Sequence, residues 1–470
     1  MSCVTISQWM LKDNALAVSP IDGRYLSKTS SLRTHFSEAA LISSRIKIEL
    51  LYLRFLAKYG VISSLSQSEL TTLDELAVFD ENAINRVKEL ERETHHDVKA
   101  VEYYLREQFL NRGLEHLVSH LHFAITSEDV NNLAYRLMLR GGLQEVMWPS
   151  LIVVLENLNS LSEKYVKLPM LARTHGQAAI PTTFGKELAV FSVRLLALLK
   201  EIQEVKLQGK FSGAVGAYQA MHLAHPELNW PELSRELVQD LGFELVEVST
   251  QIAPADDLVK VFSIFHRLNS ILLDLNQDIW RYISDGWLVQ QGKEKFVGSS
   301  TMPQKINPIE FENSEGNLVM ANAMLEGMMR KLPISRLQRD LSESTVLRNM
   351  GSVFAYCLLA YQSLSGGLSK LAADEKAMQQ ALEANYNILT EAWQTIARKN
   401  GDNEAYEKMA KLAKNKVLTQ AEWQELSKGM GQELEQLDVS NYLGLSVQLG
   451  EQTVVKTKKF IKENSKLSTK

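Results

Sequence analysis

The 470-residue chain holds only two cysteines, Cys3 and Cys357. That excludes a disulfide framework and fits a reducing compartment. No apolar run approaches the roughly twenty residues that a bilayer-crossing helix needs, and stretches such as Leu151 to Leu155 and Leu195 to Leu199 fall far short. Asp13 precedes any long apolar run, and no secretory pattern opens the sequence. Charge lacks a strong bias: the net value is −5, so no global field draws in nucleic acid or an anionic membrane. The lysines from Lys456 to Lys470, interrupted by Glu463, read as a solvated end. These absences leave the expectation of a soluble, cytoplasmic protein with room for two or three domains and a core that needs no staples.

What is present is helical spacing. Ile42, Ile46, Leu50, Leu53 and Leu56 recur at intervals of three and four, as an amphipathic helix requires. Phe184, Leu188, Phe191, Leu195, Leu198, Ile202 and Val205 alternate steps of four and three, the pattern of one helix packed along another. Val190, Val193, Leu196 and Leu199 widen that surface, so this helix is expected to be contacted on more than one side. Between Pro254 and Gly286 neither Gly nor Pro intervenes, and Leu258, Phe262, Phe265, Leu272, Leu275, Ile279 and Tyr282 keep register over roughly 45 Å. Leu318 to Leu332 resumes the pattern until Pro333. The reading is all-α. A helical stretch over 1–115 comes first, then a central long-helix bundle over 116–349 that assembles with other copies of itself. Shorter helices over 350–470 follow, with breaks at Gly366-Gly367 and Gly401-Asp402.

Polar islands interrupt the frame. The most pronounced is Gly298-Ser-Ser-Thr-Met-Pro-Gln-Lys305-Ile-Asn307-Pro, continuing through Glu310, Glu312, Asn313 and Glu315 to Asn317, read as a loop over 296–313 delivered between two helices. Hydroxyls, an ammonium, a carboxamide and carboxylates are the groups used for acid–base work and for holding anions. Thr94-His95-His96-Asp97 is a poor core, and reads either as an acid–base cluster or as a solvated charged turn. Metal is the weaker option there, because adjacent histidines on a helix point about 100° apart. Thr126-Ser127-Glu128-Asp129 is either a hydroxyl-rich site or a helix N-cap. Arg173-Thr174-His175-Gly176-Gln177 lies between Pro169 and Pro181 as a polar island between helices. Gly209 to Gly216 has glycine spacing but no Walker ending, so a nucleotide loop is not expected. Lys331, Arg336, Arg339 and Arg348, interleaved with Ser342, Ser344 and Thr345, suit a phosphate or carboxylate. The competing reading is a salt-bridged helix surface with Arg339 and Glu343 four apart.

Taken together, these stretches resemble one family. The loop from Gly298 to Pro308 is similar to the signature loop of the fumarase/aspartase superfamily, whose fold is the L-aspartase-like helical core. Ser19-Pro-Ile-Asp-Gly-Arg24-Tyr25, Thr94 to Val98, Thr126 to Asp129, Arg173 to Gln177 and Ser344 to Asn349 resemble the adenylosuccinate lyase family, nearest its bacterial purine-pathway branch. Two positions depart from that pattern: His95 stands where asparagine is expected, and Gln304 where that branch carries histidine.

The resemblance implies β-elimination of fumarate from adenylosuccinate to give AMP, and from the succinylcarboxamide ribotide SAICAR to give AICAR, with no cofactor or metal. It implies Ser299 as the base and His175 as the acid, with Glu312 orienting the catalytic histidine. A serine is thinkable as a base only where backbone N–H groups and Lys305 stabilise its alkoxide. Lys305 and Asn307 would hold the succinyl carboxylates, assisted by Thr126 and Ser127, and Ile306 and Asn313 would also contact the substrate. His96, grouped with the catalytic set, would contact the substrate with His95, Asp97 and Gln251. The phosphate would fall to Arg24, Tyr25, Arg339, Ser344 and Arg348, and Thr345, Val346 and Leu347 would also contact the substrate. A homotetramer with sites shared between subunits is implied as well. Argininosuccinate lyase is the alternative within the superfamily, and a catalytically silent, crystallin-like protein the alternative outside enzymes.

Overall fold

The structure, a computed structural model, describes residues 13–78, 80–291, 302, 305–414 and 417–465. Ser299, Ser300, Gln304 and Cys3 lie outside the described residues. The architecture is all-α, as the spacing predicts. Among the described residues the strands form three two-stranded ribbons, Pro169–Thr174 with Gln177–Thr183, Gln208–Gly209 with Glu244–Leu245, and Leu288–Gln290 with Leu371–Ala373.

Two compact units are assembled from interleaved segments. The first comprises 1–149, 200–269 and 319–359, the second 150–199, 270–318 and 360–470. In the first unit the Glu38–Lys58 helix carries the Ile42 to Leu56 stripe into the core. It lies with the Glu81–Thr94, Asp97–Asn111 and Ser127–Gly142 helices. Arg136 clamps the last of these with a two-pronged bond to Asp257, 2.8 Å on each prong and almost fully buried. Removing one partner of such a pair strands a charge in the core and costs about 3–5 kcal/mol.

The long periodic segments fold as helices Phe184–Gln203 and Asp256–Ser284. Phe262, Phe265, Leu268, Leu272, Leu275 and Ile279 are buried to 1 % or less, so the three- and four-residue steps do mark the packed face. Val190 and Val193, by contrast, are exposed on this chain.

Two expectations change. The signature stretch is not a loop as far as Asn317, because a helix starts at Ile309 and runs to Lys331. Pro308 fits just outside the helix start, and Glu310 and Glu312 occupy the first turn, where the helix dipole favours acids. Nor do Gly366 and Gly367 break the chain, since the Met350–Leu368 helix runs through both. Gly367 is there for close approach: a Cβ at this position would sit 2.8 Å from Cζ of the buried Phe311 ring. Gly401, at φ 91°, does turn the chain.

Candidate active site

In the first unit, four of the expected site residues meet in one hydrogen-bonded network. Thr94 ends its helix and His95 caps it in the left-handed conformation, φ 52°. His96 then caps the Asp97–Asn111 helix, its Nδ1 accepting from the Lys99 N–H at 3.2 Å. Because Nδ1 accepts, the ring proton sits on Nε2, and the exposed ring offers that N–H outward.

Asp97 faces the other way. Its Oδ2 accepts from Arg45 Nη2 at 2.7 Å and from Arg348 Nη2 at 2.9 Å, while Oδ1 accepts from the Val98 N–H at 2.9 Å. Burial pushes the Asp97 carboxyl up, but the Arg45 guanidinium and then that of Arg348 outweigh it and hold it below the usual range. Arg45 Nε donates to Asn131 Oδ1 at 2.9 Å, and Asn131 Nδ2 donates to Glu128 Oε1 at 2.9 Å. The same Glu128 oxygen accepts from Arg339 Nη2 at 2.9 Å, and Arg339 Nη1 donates to Gln251 Oε1 at 3.0 Å. Gln251 in turn donates to the Ala214 carbonyl at 2.9 Å.

Arg339 therefore pairs with Glu128 and not with Glu343, which replaces the surface ion pair expected from the four-residue spacing. Glu343 is buried, and burial with the neighbouring charge of Glu128 pushes its carboxyl up to about 7. A cavity of about 250 Å³ opens beside Arg348, walled by Phe36, Glu38, Tyr135, Met138, Leu347 and Met350.

Thr126 caps the Ser127–Gly142 helix in a capping box with Asp129, so the N-cap reading of this motif is realised. Asp129 does more than cap. It also accepts from the Ser212 and Gly213 N–H groups and faces Lys210 Nζ at 2.8 Å, with both side chains fully buried. The glycine-spaced stretch is thus tied to the Thr126 turn, and its lysine is committed to that carboxylate. Just upstream, His122 at φ 55° sets Nδ1 2.6 Å from Glu49 Oε1, and its N–H donates to the other oxygen at 3.2 Å. Burial pulls the His122 ring down, but Glu49 outweighs it and raises it above its ordinary value. Arg24 lies exposed over the Tyr25 ring, 5.9 Å from its centroid.

In the second unit, the island around His175 is the tip of a β-hairpin and not a connection between helices. Thr174 pairs with Gln177, which leaves His175 and Gly176 as a two-residue turn with φ 53° and 74°. With both central residues left-handed this is the type I′ kind of two-residue hairpin turn, one of those that match the strand twist, so Gly176 is free of cost there and His175 is held exposed at the apex. Arg173 braces the hairpin, its guanidinium 5.3 Å from the Trp287 ring centroid and 3.8 Å from Asp285. Lys305 and Ile306 are exposed and Asn307 half-buried ahead of the Ile309–Lys331 helix. On its first turn Glu312 accepts from Trp280 Nε1 at 3.1 Å. Asn313 lies one residue further along, its carbonyl accepting from Asn317.

Arg45 joins the network without being singled out by the sequence reading, whereas Glu128 lies inside the Thr126 to Asp129 island and Asn131 follows it, neither with a role of its own. The signal was a charged residue beside an apolar stripe: Arg45 lies three residues from Ile42 and is only 3 % exposed.

Two family models match the chain: one described as "Lyase" over residues 23–325, and one described as adenylosuccinate lyase C-terminal over 335–443. Adenylosuccinate lyase of Legionella pneumophila (strain Corby) is 41 % identical over 444 residues, covering 92 % of this chain and 97 % of its own. That of Escherichia coli K12 is 40 % identical over 442 residues, with 92 % and 97 % covered. Among solved structures, a fumarate lyase from Mesorhizobium sp. BNC1 superposes with a TM-score of 0.75 at 19 % identity, covering 91 % of this chain and 97 % of its own. A 3-carboxy-cis,cis-muconate lactonizing enzyme from Pseudomonas putida gives 0.74 at 20 %, covering 92 % and 97 %. At those identities the two structures speak for the fold alone.

Proposed function

The chain belongs to the adenylosuccinate lyase family of the fumarase/aspartase superfamily, and from that premise we propose how its residues divide the elimination of fumarate from adenylosuccinate. Removing a proton next to a carboxylate builds a dianionic aci-carboxylate, and the departing nitrogen must gain a proton. In this reading Ser299 takes the first proton and His175, presented at the hairpin apex, supplies the second. Glu312 orients that imidazole as the third member of a triad does. Lys305 and Asn307, with Thr126 and Ser127, stabilise the charge as it builds. The succinylcarboxamide ribotide is the second substrate.

The observation that carries the reading is the network in the first unit. Asp97, Gln251, Arg339 and Arg348, far apart in sequence, are joined through Glu128, Asn131 and Arg45. Arg339 and Arg348 grip the phosphate there, with Arg24, Tyr25 and Ser344. Asp97 acts through Arg348, since its oxygens are already engaged, and His96 makes the substrate contact through Nε2–H.

Exposed Val190, Val193, Val319 and Met320 on the long helices favour burial against further copies. The functional unit is then a homotetramer with sites shared between subunits, built around the central stretch 116–349. No helix among the described residues is long and apolar enough to cross a membrane, and we place the enzyme in the cytoplasm. The test is absorbance-monitored turnover of purified protein. Fumarate should be released from adenylosuccinate and not from argininosuccinate. The reverse preference would overturn the assignment, and no release from either would favour a silent structural protein.

A further inference from the structure

Two guanidinium groups assigned to the phosphate, Arg339 and Arg348, do not touch the same partner. Arg348 rests on Asp97 and Arg339 on Glu128. A single residue joins the two halves. Arg45 donates from Nη2 to Asp97 at 2.7 Å and from Nε to Asn131 at 2.9 Å, and Asn131 passes the connection to the Glu128 oxygen that also receives Arg339. It does so from inside the core, on the Glu38–Lys58 helix. A buried arginine is desolvated at considerable cost, which two acceptors in fork geometry offset.

Arg45, Arg339 and Arg348 bring three cations together, set against Asp97 and Glu128, with Glu38 also acting on Arg348 and burial opposing the ionisation of Glu343.

We propose that Arg45 is the positioning residue that sets the spacing and orientation of Arg339 and Arg348, and so determines recognition of the phosphate without touching it. This rests on the reading of those two arginines as the phosphate grip. A lysine cannot replace Arg45, because one ammonium carries no planar fork to serve Asp97 and Asn131 at fixed angles.

The experiment is calorimetric binding of AMP and of adenosine to wild type, Arg45→Lys and Asn131→Leu, with folding checked by circular dichroism and size exclusion. Wild type should prefer AMP strongly. Arg45→Lys should weaken AMP at least about tenfold and leave adenosine unchanged. Asn131→Leu, which cuts only the arm toward Arg339, should lose a smaller part of the same preference, and it decides the matter if Arg45→Lys fails to fold. If both variants keep the wild-type preference, or weaken AMP and adenosine alike, Arg45 is an ordinary core residue and the inference fails. A wild type that does not distinguish AMP from adenosine would instead overturn the phosphate reading itself.

Discussion

The indole nitrogen of Trp280 donates to Oε1 of Glu312 at 3.1 Å, joining the Asp256–Ser284 helix to the first turn of the Ile309–Lys331 helix. One residue pair further on, Gln277 donates to Glu315 at 3.1 Å, so the contact also belongs to a register between antiparallel helices. It engages Oε1 of the carboxylate, and in the proposed site Oε2 is the oxygen that orients the His175 imidazole. Trp280→Phe keeps the ring and removes only the donor. It should lower kcat about tenfold, the worth of one hydrogen bond at the transition state, with KM little changed. In a Glu312→Gln background the same substitution should cost nothing further. Unaltered kcat in steady-state assays would reduce the bond to helix pairing.

Where one face of an element is apolar, the sequence was legible. The helices at 184–203 and 256–284 were readable because the stripes from Phe184 to Leu198 and from Phe262 to Ile279, stepping by three and four, are buried, even though Val190 and Val193 beside the first are exposed. The helix start at Ile309 was not readable, because Glu310, Glu312, Asn313 and Glu315 dominate its first two turns and Phe311 is the large apolar residue buried among them. The hairpin around His175 was hidden for a related reason: its strands are short, one opens on Pro169 and the other contains Pro181, and the Thr-His-Gly-Gln turn signal shows no strand alternation around it. Arg45 was missed, and Glu128 and Asn131 were left without a role, because a buried polar residue makes sense only beside its partner, and the arginines that meet here come from remote sequence. Composition alone cannot bring Arg339 to Glu128, 211 residues away.

Glu343 makes stability depend on pH. Its folded value of about 7 stands above the ordinary 4.5 because burial, and then the charge of Glu128, oppose ionisation, partly offset by Arg136, Arg339 and Lys331. With the folded value raised, the native state binds the extra proton. The associated stability is fully present below pH 4.5 and is lost as pH rises through about 7. A shift of this size is worth at most ~3 kcal/mol. Glu343→Gln should therefore gain on wild type between pH 5 and 8 in denaturant titrations, by about 1–3 kcal/mol. A constant difference across that range would show that the carboxyl ionises freely.

Arg339 uses two nitrogens at once, one on Gln251 and one on Glu128. Arg339→Lys can satisfy only one of them and offers the phosphate a point charge in place of a fork. KM for adenylosuccinate should rise roughly tenfold or more with kcat within about threefold, as expected when binding is lost equally from ground and transition states. Unchanged KM with collapsed kcat would move Arg339 from the phosphate to the chemistry.

The shared site can be tested by mixing two dead enzymes. Ser299→Ala removes the proposed base, and His175→Asn removes the proposed acid while keeping a residue that tolerates the left-handed turn at φ 53°. Each variant alone should be inactive, because every site of the proposed tetramer would lack one of two proton carriers. The Ser299 variant should still bind substrate, since in the proposed role its hydroxyl moves a proton and does not hold the ligand. If His175 and Ser299 reach a site from different chains, unfolding the variants partly and reassembling them together lets the two contributions be drawn independently. Roughly a quarter of the sites then carry both groups intact, and activity should return to about that share of reassembled wild type. If wild type recovers fully after the same treatment and the mixture recovers nothing, each site is built from one chain.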